Sequence, residues 1–142
     1  MFSKTCEYAI RALIYVALET IGNESKIGIK QIAEQIDAPI HFISKILQEL
    51  SKKNFIQSLK GPKGGFYIED VNYSIADVVR EIDGDRVFSS CALGLNECNE
   101  KYPCPLHFQF SIIRKKMRDL LENSNILEFA ENVESHRAFL RN

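Results

Sequence analysis

No stretch of this chain is apolar for long enough to cross a bilayer: the longest purely apolar run is a handful of residues, against the ~20 a spanning helix needs. The N-terminus has no apolar core ending in a small-residue cleavage site, so no secretory signal is read there. An excess of one charge is also lacking. Eighteen Lys and Arg against nineteen Asp and Glu leave −1 at pH 7, which announces neither a nucleic-acid nor a membrane partner. No internal repeat or low-complexity segment is present. Catalytic signatures are missing too. No Ser/His/Asp set is recognisable, and Gly61-Pro62-Lys63-Gly64-Gly65 lacks P-loop spacing and its following Lys-Ser/Thr. An enzyme is therefore not expected. The 142 residues, 45% hydrophobic and 26% charged, are an ordinary globular mix for a cytoplasmic protein with one compact core.

Periodicity gives the elements. Tyr8, Ala9, Ala12, Leu13, Val16 and Ala17 keep one face of a first helix apolar from about Cys6 to Thr20, and Gly22 and Asn23 stop it. After Gly28, Ile29, Ile32, Ala33 and Ile36 mark a short second helix. Asp37-Ala38-Pro39 is a tight connection to a third, ending near Lys53, with Phe42, Ile43, Ile46, Leu47 and Leu50 facing inward. Phe55 to Leu59 reads as a strand, Gly61 to Gly65 as a glycine-rich tip, and Phe66 to Ile68 as the returning strand. Two short helices joined by a tight turn and followed at once by a hairpin form a winged helix-turn-helix. The fold class expected is mainly α with a small β-wing. Ser74 with Asp77 three residues on resembles a capping box opening a fourth helix that ends at Gly84.

Local charge then speaks where bulk charge did not. Between His41 and Gly65, Lys45, Lys52, Lys53, Lys60 and Lys63 face one acid, Glu49. Cations gathered on a recognition helix and wing are what phosphate neutralisation requires, so double-stranded DNA is the expected partner. His41, Ser44 and Lys45 share the exposed face of the third helix and are the candidates for base readout. Lys60 and Lys63 would reach phosphates or a minor groove, while Gly61, Gly64 and Gly65 let the backbone approach and also suit the tight turn itself.

A loop from Arg86 to Pro103 holds cysteines, and a long helix begins after Pro105. Its Leu106, Phe110, Ile113, Met117 and Leu120, spaced 4, 3, 4, 3, make an a/d seam of about two heptads. That is too short for a free-standing coiled coil, and we read it as the face that pairs with a second copy in a homodimer. A last helix from about Asn125 carries Ile126, Ala130 and Val133 and then frays. The chain accordingly divides into a DNA-binding unit, residues 1–84, and a cysteine-loop and dimerisation unit, residues 85–142.

Cys91, Cys98, Cys104 and His107 form C-x6-C-x5-C-x2-H. Three soft thiolates and an imidazole are a metal-ligand set, and the Cys104–His107 step at a helix start puts both on one face. None of the thiols sits in the short knuckle usual for zinc. The longer gaps suit an iron–sulfur cluster, with zinc as the alternative and three small buried hydrophobes beside a surface histidine as the plain structural reading. Cys6 reads as a half-buried small apolar residue and His136 as solvent-facing.

Taken in order, EYAIRAL near the N-terminus, the wing KGPKGGFYI and the loop ending CPLH resemble the Rrf-type family of regulators over essentially the whole chain. The resemblance implies a homodimeric, DNA-binding transcription factor. Its cluster-bearing members hold [2Fe–2S] or [4Fe–4S] and change DNA affinity with cluster state; others lack a cluster and sense through cysteine oxidation or a protein partner. Cys91, Cys98 and Cys104 fall on the cluster cysteines, and His107 on the histidine completing the [2Fe–2S] site in the IscR branch. The first two cysteines are one residue further apart here than in that branch. In the NsrR branch the fourth ligand is an acid in the first helix of the partner subunit, and Glu7 matches that location. We prefer His107, because its spacing from Cys104 is intact, and hence [2Fe–2S] over [4Fe–4S]. The rival functions are a cluster-free thiol switch using two loop cysteines, and a structural zinc protein whose helix pair binds a protein.

Overall fold

A computed structural model describes residues 1–142. The elements are α1 (Lys4–Thr20), α2 (Ile29–Gln35), α3 (Ile40–Lys52), β1 (Gln57–Leu59), β2 (Gly65–Tyr67), α4 (Ile75–Asp83), α5 (Arg86–Ser89), α6 (His107–Glu122) and α7 (Ile126–Glu134). None of the helices is long and apolar enough to cross a membrane.

α1 is the axis of the molecule. The Ser3 hydroxyl caps it by accepting from the Cys6 amide at 3.1 Å, and every residue from Ala12 to Ala17 is buried. A helix apolar on so many sides needs neighbours on several of them. α2, α3, α4 and α7 all pack on it, and one continuous core runs from Cys6 through Ile43, Leu47 and Val79 to Ile126 and Ala130. Cys6 is wholly buried within it, not half-buried as the sequence led us to expect.

The helix-turn-helix is built by local bonds. Asp37 takes a left-handed φ of 49°, the Ala38 amide donates to Ala33 O at 2.9 Å, and Pro39 opens α3. α3 ends in the same manner: Asn54 has φ 61° and the Phe55 amide reaches back to Leu50 O at 3.0 Å. That helix-ending turn is why Phe55 and Ile56 enter the core and β1 starts only at Gln57, later than the expected Phe55. Phe42 departs from its expected inward position. It is 49% exposed, because Ile43, Ile46, Leu47 and Leu50 already fill the inward face.

β1 and β2 pair antiparallel, with Gln57 opposite Tyr67 and Leu59 opposite Gly65. A third piece of chain joins them. Ile27, just before α2, exchanges both backbone hydrogen bonds with Phe66, at 2.9 and 2.8 Å. The buried Thr20 hydroxyl, accepting from the Ile68 amide at 3.0 Å, fastens the end of α1 to the same hairpin.

α4 opens with the reciprocal Ser74–Asp77 capping box and closes at Gly84, φ 78°. The segment expected to be a loop from Arg86 to Pro103 begins instead with the short α5, which buries Phe88. At the C-terminus the chain folds back after α7 where fraying was expected. Arg11 Nη1 donates to Leu140 O at 3.1 Å and Arg141 Nη1 to Glu34 O at 3.2 Å.

Candidate functional site

Ile43, Ile46, Leu47 and Leu50 hold α3 against the core and thereby aim its other side outward. His41 and Lys45 are exposed on that side and Ser44 is half-buried; His41 stacks at 4.7 Å on the ring of Phe42. Gln48, one further turn along, is exposed beside them and was not singled out from sequence. The five lysines of this region separate into two groups. Lys52 pairs with Glu49 at 2.8 Å and Lys53 with Glu81 at 2.7 Å, whereas Lys45, Lys60 and Lys63 make no ion pair. The unpaired three are those on the outward helix face and the wing.

The wing glycines differ in what they do. An added Cβ at Gly64 would stand 2.0 Å from the Leu59 carbonyl oxygen, and one at Gly65, φ 150°, 2.9 Å from that of Ile27. Both therefore serve close backbone packing within the protein. Gly61, φ 105°, faces open space. Beneath the wing, Lys26 Nζ lies 5.1 Å from the Tyr67 ring centroid.

The cysteine loop brings its donors together in two pairs. Cys91 Sγ lies 3.6 Å from Cys104 Sγ, and Cys98 Sγ lies 3.4 Å from His107 Nδ1. Two thiolates about 2.3 Å from one tetrahedral metal stand about 3.7 Å apart, and a thiolate and an imidazole nitrogen slightly closer. Each pair thus has the length of one edge of a coordination tetrahedron. The pairs do not merge: nowhere do three His, Cys, Asp or Glu side chains gather round a single metal-sized point. Cys91 and His107 are buried, while Cys98 and Cys104 are half-buried. Backbone amides of Leu93, then Leu95, aimed at Cys91 hold its thiol below the usual range, with Cys104 and Arg114 adding to the effect. Such amide donors are how a chain stabilises an anionic sulfur.

Glu7 makes no bond to this loop in its own chain. It pairs with Lys4 at 2.6 Å, whose ammonium keeps the carboxyl below its ordinary value. Arg114, which sequence gave no reason to choose, touches the loop directly: Nη2 donates to Cys98 Sγ at 3.1 Å and Nη1 to Ser90 O at 2.7 Å.

The seam of α6 divides. Phe110 and Met117 are half-buried, Met117 against the core, while Leu106, Ile113 and Leu120 are 44%, 58% and 65% exposed. Residues seven apart return to nearly the same face, so these three form one apolar ridge, with Ile112 and Phe108 exposed further round.

A helix-turn-helix with an antiparallel wing, followed by a cysteine loop and a long helix, is an arrangement known in other proteins. Residues 2–132 match the Rrf2 family, described as iron-dependent transcriptional regulators. The chain belongs to that family. It is 30% identical over 141 residues to an HTH-type transcriptional regulator of Aquifex aeolicus, covering 96% of this chain and 95% of that protein. It is also 30% identical over 138 residues to the regulator NsrR of Geobacillus kaustophilus, covering 95% and 92%. Among solved structures, CymR, the global cysteine regulator of B. subtilis, superposes with a TM-score of 0.76 at 20% identity, over 92% of this chain and 96% of that one. IscR of T. potens does so at 0.71 and 16%, over 97% and 91%. These two likenesses show the fold, and it is the winged helix expected from the sequence. The Rrf2 relatives are transcriptional regulators, and this chain is a transcriptional regulator of that family.

Proposed function

We propose that this Rrf2 regulator works as a homodimer and adjusts its affinity for an operator according to the state of a [2Fe–2S] cluster held by Cys91, Cys98, Cys104 and His107. Residues 1–84 form the DNA-binding unit and residues 85–142 the sensing and dimerisation unit. The observation that carries the cluster reading is the pairing of the donors, Cys91 with Cys104 and Cys98 with His107. A single zinc ion takes all four donors on one centre, whereas a dinuclear cluster takes two on each metal, as in the Rieske pattern. When bound, the cluster would supply a one-electron centre that is labile to oxidants. Cys91, with its amide donors, suits an anionic ligand sulfur, and the buried His107 is fixed at the start of α6. His41, Ser44, Lys45 and Gln48 supply the helix face for the major groove, and Lys60 and Lys63, with Gly61 at the wing tip, supply phosphate contacts. The ridge of Leu106, Ile113 and Leu120, with the half-buried Phe110 beside it, seats the second copy, while Met117 stays on its own core.

The test is anaerobic purification with an absorption spectrum and iron, sulfide and zinc content per monomer. About two irons and two sulfides support the assignment. Four of each would replace it with a [4Fe–4S] reading and favour Glu7 of the partner subunit as the fourth ligand. Colourless protein after reconstitution would remove the cluster. Equal operator affinity of holo- and apo-protein at fixed salt would sink the sensing function.

A second reading rests on the 3.6 Å separation of Cys91 and Cys104 Sγ. Loss of two electrons and two protons to a peroxide would join them as a disulfide after a shift of about 1.6 Å, given the usual bond of about 2.05 Å. It predicts colourless protein whose DNA affinity follows peroxide and thiol reductant.

A further inference from the structure

Helix α5 ends in carbonyls that have no helical partners, as every helix does. Here α6 supplies the partners from two arginines one turn apart. Arg118 Nη2 donates to Phe88 O at 2.8 Å and Arg114 Nη1 to Ser90 O at 2.7 Å, so the residues leading into Cys91 are gripped from outside. The grip continues into the DNA-binding half. Phe88 is 1% exposed, and its ring carries the guanidinium of Arg118 6.0 Å from its centroid and that of Arg80 of α4 at 5.1 Å. Arg80 in turn bonds Asp77, Asp85 and Glu122. Glu81, next to Arg80 in α4, pairs with Lys53, the C-cap residue just after α3.

Arg114 stands at the head of this series and has a second partner, Cys98 Sγ at 3.1 Å. We propose that Arg114 is a positioning residue that couples Cys98 to the end of α5, so that occupation of the loop thiols is felt at Phe88–Cys91 and from there at α4. A guanidinium is a planar, rigid fork, and its two nitrogens cannot follow two acceptors that move apart. Anything that draws Cys98 Sγ to a new position therefore either carries Arg114 with it or breaks the bond to Ser90 O. The proposal takes the loop to be the sensor, as above, and adds the residue through which the loop acts.

Cadmium(II) separates the two claims, because it binds thiols and imidazole whether or not the native occupant is a cluster. Backbone hydrogen exchange of residues 75–89, which span α4 and α5 and contain none of the loop donors, is measured by mass spectrometry in the apo-protein with and without cadmium, for the native chain, Arg114→Gln and Arg114→Lys. Thiolate–cadmium absorption reports uptake in each, and circular dichroism confirms folding. In the native protein cadmium is expected to change exchange in this segment by about fivefold or more, the low end of ordinary site–site coupling. Both variants take up cadmium with exchange left unchanged by it, since lysine keeps the charge but not the fork. A native segment indifferent to cadmium, or a variant that responds as the native chain does, overturns the proposal. So does loss of uptake in Arg114→Gln rescued by Arg114→Lys, because Arg114 would then serve the donor set by charge alone. Failure of the cluster assignment is read separately, in the iron and sulfide content.

Discussion

Replacing Gly64 by alanine isolates what the wing contributes to DNA affinity. The new Cβ would stand 2.0 Å from Leu59 O and 2.8 Å from Leu59 C, whereas ordinary contact begins at 3.4 Å. The tip must therefore open by about 1.4 Å at a backbone atom, which cannot rotate out of the way as a side chain can. The hydrogen bond from the Gly64 amide to Gly61 O, 2.9 Å, and the pairing of Leu59 with Gly65 are the first to break. The core lies away from this tip, so the chain stays folded while Lys60 and Lys63 lose their fixed places. If each lysine neutralises one phosphate, a dimer leaves four phosphates without their cations. The slope of log K against log salt then becomes shallower by about 3.6, at about 0.9 per phosphate on duplex DNA. Between about 50 and 200 mM salt, that is a difference of about 150-fold in the fall of affinity. Fluorescence anisotropy of a selected operator duplex across this salt range measures it. The double variant Lys60→Gln/Lys63→Gln should show the same slope change without touching the turn. An unchanged slope in both proteins would refute the wing as a phosphate-binding element. An unchanged slope in Gly64→Ala alone would refute the steric reasoning.

Ile113 is 58% exposed, so Ile113→Glu should leave the circular dichroism intact while sedimentation shows monomer in place of dimer. Cys6 is buried so completely that its thiol is pushed up to about 12, by burial first and then by the carboxylates of Asp83 and Glu7. The unfolded chain, titrating near 9, releases this proton first, so stability falls as pH rises from about 9 toward 12, by up to ~4 kcal/mol. Denaturant titrations should show that Cys6→Ala flattens this alkaline limb; an unaltered limb would assign the loss elsewhere. Asp77 has its carboxyl held below the ordinary value, chiefly by the Ser74 amide in the capping box. Its contribution is present above about pH 4 and is lost as pH falls through the depressed value. Asp77→Ala should cost ~0.3–1 kcal/mol at pH 7, the range for a carboxylate in the first turn of a helix, and little in acid, and an equal cost at both pH values would refute a role for the charge.

The elements that sequence announced are those whose determinants are local. Ser74 and Asp77 are three residues apart and form their box as expected, and Gly84 ends α4 with a left-handed φ. The helix pair and glycine tip were legible because the apolar spacing of α2 and α3 and the need for φ > 0 are written in neighbouring residues. What was missed is of another kind. Asn54 adopts φ 61° with no glycine to signal it, and so shifts the start of β1. Phe42 belongs to the apolar pattern of α3 by spacing, yet four other residues already fill the inward face. Ile27 pairs with Phe66 across 39 positions, and Arg114 reaches Cys98 across 16. The C-terminal segment has no helical pattern and is held by arginines donating to backbone carbonyls far away in the chain. Bonds set by tertiary placement leave no periodic trace. That Cys91, Cys98, Cys104 and His107 lie in one loop was legible, but their division into two pairs was not, since C-x6-C-x5-C-x2-H allows any pairing.

The division of the α6 seam leaves that helix with one face on its own chain and an exposed apolar ridge beside it. Met117 and Leu121 pack it on its own chain, and Leu106, Ile113 and Leu120 stand ready on the neighbouring face for another. Its first residue is His107, one of the four loop donors, and the exposed Leu106 immediately before it begins the ridge. A loop donor and the first ridge residue are thus neighbours in the chain, on a helix otherwise rigid for four turns. A small displacement at the loop is therefore a displacement at one end of the proposed dimer contact, while Arg114 and Arg118 carry the same helix's position to α5. Two recognition helices set by such a contact must meet half-sites about 34 Å apart, so a tilt of the pairing helix is enough to spoil the fit. The energy involved is modest, since ~1–3 kcal/mol of coupling already separates bound from free operator by about 5- to 150-fold. On this geometry, substitutions at Leu106 should alter both dimer affinity and the response to loop occupancy. Substitutions at Leu120, at the far end of the ridge, should alter dimer affinity alone, and equal effects on the response from both ends would refute the loop-proximal lever.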